Sequence, residues 1–187
     1  MNLPNILTLS RIVLALVLIF LLEASSSIGN ILALFVFALA SLTDFYDGYF
    51  AKKMGLVSDF GKIMDPIADK ILLLSIFWVF AHIGMIAWWM FLVIALREVL
   101  VTISRLVAMR QGQVLAAERA GKIKTVVQII AVSAILLYLV AQQSDFCSYW
   151  FYNVQRIWLG TNYVLMLAAV LLTVYSGLEY FRNRPKK

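Results

Sequence analysis

Residues 44–69 read DFYDGYFAKKMGLVSDFGKIMDPIAD, a stretch that sets carboxylates at helical spacing inside and beside strongly apolar segments. Asp44 and Asp47 are three apart, so on a helix they project from one face a turn apart, with Gly48 and Ala51 on the same stripe. Asp65 and Asp69 are four apart, and Gly61 extends their stripe by a further turn. Pro66 biases Asp65 away from helical angles, so a helix is expected to start or kink there. A carboxylate near a bilayer centre costs about 2.5 to 3.5 kcal/mol on the most lenient scale, so four facing lipid would cost about 10 to 14 kcal/mol. These acids must meet cations, water or one another.

The surrounding chain is what makes that cost relevant. Its 187 residues are 63% hydrophobic, with a mean hydropathy of +0.91, against roughly 45 to 50% apolar usage in soluble domains. A membrane helix needs about 20 mainly apolar residues. Hydropathy yields six such segments, at 6–22, 29–50, 64–84, 86–109, 121–141 and 158–181. Irregular backbone is excluded from lipid, so the expected fold is all-α: a polytopic membrane protein of six transmembrane helices forming a single domain over 1–187. Nothing outside these spans is long enough for a separate soluble domain, and no nucleic-acid partner is expected.

Basic residues set the orientation. Lys52, Lys53 and Lys62 occupy one connection, Arg110, Arg119, Lys122 and Lys124 a second, and Arg182, Arg184, Lys186 and Lys187 the tail. The alternate connections, near 23–28, 82–87 and 142–157, hold only Arg156. The positive-inside bias therefore puts both termini in the cytoplasm, with the carboxylate stretch at the cytoplasmic boundary. The basic loops suit anionic lipid headgroups. On the far side, Trp88, Trp89, Phe146, Tyr149, Trp150, Phe151, Tyr152 and Trp158 read as an interfacial aromatic belt. Cys147 has no intrachain partner and reads as an interfacial thiol, and His82 as an interfacial histidine far from the acids. Residues 11–27 have some features of a cleavable leader, but an uncleaved first span gives the even count that the charge bias requires.

Oxygen donors without a His or Cys cluster favour hard cations, Mg²⁺ or Mn²⁺, and a pair of ions about 4 Å apart is suited to displacement at phosphorus. The stretch resembles the signature of the CDP-alcohol phosphatidyltransferases: DxxDGxxAR, eight residues, then GxxxDxxxD. Asp44, Asp47, Gly48, Ala51, Gly61, Asp65 and Asp69 match over 26 positions, and Lys52 stands where that family has Arg. The resemblance implies six transmembrane helices with a cytoplasmic-side site, in a bacterial inner-membrane enzyme that is commonly a homodimer. It implies that Asp44, Asp47, Asp65 and Asp69 ligate two Mg²⁺ or Mn²⁺ ions, with Asp69 also the general base. Asn5, Thr8, Gly48, Ala51, Lys52, Ser58 and Gly61 fall at positions that it assigns to the CDP-diacylglycerol donor. Lysine at 52 supplies charge but no bidentate fork, so phosphate neutralisation is kept and phosphate geometry altered.

Segments 2–11, 96–105 and 121–125 further resemble the branch of the family whose acceptor is sn-glycerol 3-phosphate, although the cardiolipin-forming branch shares the first of them. A phosphorylated acceptor needs cations near the site. Arg105, Lys122 and Lys124 lie at the right depth, and Arg97 is a deeper candidate beside Glu98. Arg97 and Glu98 also suit a buried charge group neutralised by a neighbouring span. Lys122 and Lys124 are two apart and do not share a helix face, so one serves the substrate and the other the lipid surface. Asp59 reads as a loop acid or helix cap, and Arg11, three residues past Thr8, faces either the site or the headgroups. Two rival readings remain at this level: the same transfer to another acceptor, such as phosphatidylglycerol or an inositol phosphate, and a divalent-cation transporter with an aspartate relay.

Overall fold

Each apolar segment forms one α-helix: α1 (Leu3–Glu23), α2 (Ser27–Met54), α3 (Asp59–His82), α4 (Trp88–Arg110), α5 (Arg119–Gln142) and α6 (Ser148–Arg182). This computed structural model describes the backbone of residues 3–54, 59–110, 119–143 and 148–182, and the side chains of residues 9–43, 67, 70–108, 120–143 and 154–182. Among the described residues there is no strand.

Two boundaries differ from hydropathy by five residues or more. α3 begins at Asp59 and runs through Pro66, so the proline is not its start and Asp59 takes the first helical position. α6 begins at Ser148, ahead of the expected 158, which puts Tyr149, Trp150, Phe151 and Tyr152 on helix rather than in a loop. The reason is that this stretch is polar enough to depress hydropathy yet carries no Gly or Pro to stop a helix. Its continuation packs onto α5: the Trp158 ring meets Tyr138 edge-on at 5.9 Å between centroids, and Gln155 Nε2 donates to Tyr138 Oη at 3.1 Å.

The helix ends are fixed by local chemistry. Ser26 caps α2, its Oγ accepting from the Gly29 N–H at 3.0 Å. At the end of α3, Gly84 adopts φ 78°, and the Met85 N–H closes back onto Phe80 O at 2.8 Å. This is the left-handed glycine stop of a Schellman motif. Gln143, just past α5, then ties down the α1–α2 turn. Its Nε2 donates to Ser25 O at 2.9 Å, while Asn30 Nδ2 donates to its Oε1 at 3.1 Å. The start of α2 is thereby pinned to the end of α5.

α1 packs most extensively on α3 and also on α2, α5 on α6 and α2, and α4 on α6 and α3. The core is built around Leu18, Leu22, Ile76, Phe77, Phe80, Met90, Ile94, Leu136 and Met166, all of them buried. The outside is apolar too: Phe20, Phe35, Leu96, Ile157, Val164 and Leu178 are all exposed. So extensive a greasy exterior does not suit water and does suit lipid, where only helices or closed barrels satisfy their backbones. Among the described residues, two helical stretches are long and apolar enough to cross a membrane by themselves, Ala120–Gln142 and Val154–Arg182. Among the described residues the fold is all-helical, and its apolar helices and exterior suggest a membrane protein.

Candidate active site

The signature is carried by the last turns of α2 and the first turns of α3. Asp44, Asp47, Gly48, Ala51 and Lys52 lie in α2, and Gly61, Asp65 and Asp69 in α3, while Asn5 and Thr8 lie in the first turns of α1. The side chains at these positions lie outside the described residues, as does Ser58 altogether. The neighbouring turns are described, and they enclose a cavity of about 210 Å³.

Arg11 of α1 lines that cavity, with Phe37, Ala40 and Ser41 of α2, Lys70, Leu72 and Leu73 of α3, and Thr125 and Ile129 of α5. Ala40 and Ser41 precede Asp44 by four and three residues, and Leu72 and Leu73 follow Asp69 by three and four. The cavity therefore lies one helical turn from each end of the carboxylate stretch, on the inner side. Its orientation decides the case of Arg11, which faces this space. α1 and α5 face the same cavity, through Arg11 and through Thr125 and Ile129.

Beside the cavity sits a charged group centred on Glu98, which is 1% exposed. Lys70 Nζ lies 2.9 Å from its Oε2. Lys124 Nζ hydrogen-bonds its Oε1, and Arg97 Nη1 lies 3.4 Å from the same oxygen. Arg97 Nη2 in turn donates to Ser176 Oγ of α6 at 3.0 Å. A Cβ at Gly177 would lie 3.1 Å from Arg97 Cγ, so the glycine is what lets the arginine stem lie along α6. One carboxylate thus joins α3, α4 and α5, and Arg97 extends the link to α6. A buried acid needs such partners, because a lone ionised carboxylate in a dry interior is strongly disfavoured.

The four candidates for an acceptor phosphate do not converge. Arg97 and Lys124 meet on Glu98, whereas Arg105 and Lys122 are exposed. The two-residue spacing of Lys122 and Lys124 gives the expected split of faces, with Lys124 the inward one. Sequence reasoning did not bring Lys70 into this group, although its place directly after Asp69 was a signal. His82 stacks on Trp78 at 5.4 Å, at the far end of α3 from the acids. Among the described residues there is no group of three or more His, Cys, Asp or Glu that could hold a metal ion, and the four signature aspartates lie outside that set.

The family profile described as CDP-alcohol phosphatidyltransferase matches residues 1–175. The chain belongs to this family. It is 39% identical to the CDP-diacylglycerol--glycerol-3-phosphate 3-phosphatidyltransferase of Bacillus subtilis, over 96% of this chain and 93% of that one. A probable phosphatidylglycerophosphate synthase of Mycobacterium tuberculosis is 36% identical over 96% of this chain and 79% of its own length. The Rickettsia typhi protein with the same name as the Bacillus one is 34% identical over 97% and 96%. CDP-alcohol phosphatidyltransferases generally depend on divalent cations. The matched region spans the whole carboxylate stretch, the cavity and the Glu98 group.

Proposed function

We propose that the chain transfers the phosphatidyl group of CDP-diacylglycerol to the 1-hydroxyl of sn-glycerol 3-phosphate, giving phosphatidylglycerol phosphate and CMP. The observation that carries this reading is the near-full-length similarity to a relative named for that donor and that acceptor. The helix arrangement supports it: the carboxylate stretch ends on a cavity with Arg11 and Lys70 in its lining, a setting suited to anionic substrates.

In this reading the protein spans the bacterial cell membrane six times, with both termini and the site on the cytoplasmic side, and works as a homodimer. Asp44 and Asp47 on α2, with Asp65 and Asp69 on α3, would hold two Mg²⁺ or Mn²⁺ ions. The donor set is all oxygen, which suits hard divalent cations. Bound metal would supply neutralisation of the diphosphate charge. Asp69 accepts the proton of the attacking hydroxyl. That oxygen forms the new bond to the phosphatidyl phosphorus, the anhydride bond to CMP breaks, and its electron pair leaves with CMP. Gly48 allows close approach of the nucleotide to backbone, and Lys52 offsets its phosphate charge, with Asn5, Thr8, Ala51, Ser58 and Gly61 completing the donor pocket. Lys122 and Arg105, being exposed, are the better placed of the acceptor candidates to meet a soluble phosphate. Arg97 and Lys124 serve through the Glu98 group.

Purified protein given CDP-diacylglycerol, Mg²⁺ and labelled glycerol 3-phosphate is expected to release CMP and form a labelled lipid. Parallel arms with phosphatidylglycerol and an inositol phosphate test the acceptor, and metal uptake into liposomes tests a transporter. Absence of CMP with every acceptor sinks the reading.

A further inference from the structure

The cavity of about 210 Å³ occupies the same depth on every helix that lines it. Arg11 lies three residues beyond Thr8 along α1, Phe37, Ala40 and Ser41 precede Asp44 on α2, and Leu72 and Leu73 follow Asp69 on α3. Thr125 and Ile129 lie beyond the start of α5 at Arg119. Three to seven helical residues amount to about 5 to 10 Å. The lining is therefore that much deeper in the apolar body than the signature positions of α1, α2 and α3. A lipid donor whose diphosphate meets the carboxylate stretch from the cytoplasmic end carries its glycerol and its ester groups at this depth, with the nucleotide on the opposite side.

The chemistry of the wall fits that part of a lipid. Phe37, Ala40, Leu72, Leu73 and Ile129 make much of it apolar, and its polar members among the described residues are Arg11, Ser41, Lys70 and Thr125. The Lys70 ammonium is engaged by Glu98 at 2.9 Å, and Thr125 Oγ1 donates to Gly121 O at 3.1 Å. Arg11 and Ser41 are then the donors best placed to meet a ligand. Arg11 is also engaged within the protein, but a guanidinium carries five N–H groups and serves several acceptors at once. A polyol phosphate seated here would set its hydroxyls against an apolar wall and lose their hydrogen bonds to water. Ester carbonyls only accept, and the hydrocarbon beside them suits that wall. An acyl chain reaches about 15 Å, half of the hydrocarbon thickness, so a space of this size takes the ester region while the chains run out into lipid. We propose that this cavity is the subsite for the glycerol ester region of the donor, where Arg11, assisted by Ser41, donates to an ester carbonyl and so selects a diacyl over a dialkyl lipid. This rests on the proposed use of CDP-diacylglycerol.

The test compares two donors of equal chain length in mixed micelles: CDP-diacylglycerol and its dialkyl ether analogue, in which each ester carbonyl is a methylene. CMP release by purified full-length protein is followed with Mg²⁺ and saturating glycerol 3-phosphate. The unaltered protein is expected to show a KM about tenfold higher for the ether lipid, the scale of one hydrogen bond from a charged donor. Its kcat should change little, because the contact is made equally before and during the reaction. Arg11→Met should raise KM for the diacyl lipid about tenfold and for the ether lipid less than twofold, so that the ratio between them falls toward one. Ser41→Ala should lower the same ratio about threefold, and Arg11→Lys, which keeps a charged donor, should retain part of it. A merely structural role for Arg11 predicts equal losses on both lipids, and that result overturns the proposal. So does an equal KM for the two lipids with the unaltered protein, a comparison that decides the matter even if Arg11→Met does not accumulate. Failure of the underlying reading looks different: the unaltered protein then releases no CMP from either lipid, and the ester subsite falls with it.

Discussion

Replacing Lys124 with Met should destabilise the protein measurably, while the same change at Lys122, two residues away, should not. Lys124 is 1% exposed and its ammonium hydrogen-bonds Glu98, whereas Lys122 is exposed. Complete loss of one partner from a buried ion pair costs about 3 to 5 kcal/mol. Here Glu98 keeps Lys70 at 2.9 Å and Arg97 at 3.4 Å, so no uncompensated charge is left and Met fills much of the volume. What is lost is one charge-assisted hydrogen bond, worth about 1.5 to 3 kcal/mol. At about 2 to 4 °C per kcal/mol for a chain of this size, the midpoint should fall by roughly 3 to 12 °C. Lys122→Met should stay within about 0.5 kcal/mol, or some 1 to 2 °C. The assay is thermal aggregation in detergent followed by size-exclusion chromatography, with kinetics on the same samples. Lys122→Met should raise KM for glycerol 3-phosphate about fivefold without altering the midpoint, as expected for loss of one phosphate contact. Equal midpoints for the two variants, or a lower one for Lys122→Met, would refute the assignment of Lys124 as the inward lysine.

Asp69→Asn should retain Mn²⁺ binding better than turnover, since an amide still offers one ligand oxygen but accepts no proton; equal loss of both, read by paramagnetic resonance and CMP release, argues against a separate base role. Lys52→Arg should preserve or lower KM for CDP-diacylglycerol, while Lys52→Met should raise it about tenfold, because only the first keeps a cation for the diphosphate. Gly29→Ala should lower the thermal midpoint, since a Cβ there would lie 2.7 Å from Leu21 O and 2.8 Å from the capping Ser26 Oγ; Gly160→Ala, with nothing within 4 Å, should be neutral or stabilising by up to about 1 kcal/mol. Membrane-impermeant maleimide should label Cys147 in spheroplasts from outside, whereas Gln113→Cys in a Cys147→Ser background should react only after permeabilisation; the reverse pattern would invert the proposed orientation.

Sequence alone determined the family and the number of helices, and it made the spaced acidic stretch legible. Each of these rests on local information: apolar length sets a helix, and a spaced run of acids with glycines is legible without knowing what packs against it. It also separated Lys122 from Lys124, because a two-residue spacing on a helix divides faces whatever the neighbours. It did not reach the helix rotations. α5 and α6 spread their polar residues over all sides in sequence, so periodicity does not say which side of them meets the other helices. Only the tertiary structure turned Arg11 toward the cavity, made Lys124 the inward lysine and brought Lys70, Glu98, Arg97 and Ser176 together from three helices. It likewise joined Gln143 to the α1–α2 turn across more than a hundred residues. In lipid, apolar faces gain little by choosing a helix neighbour over a lipid tail. Rotation is then set by buried polar partners, close small-residue contacts and packing, and these depend on residues far apart in the chain.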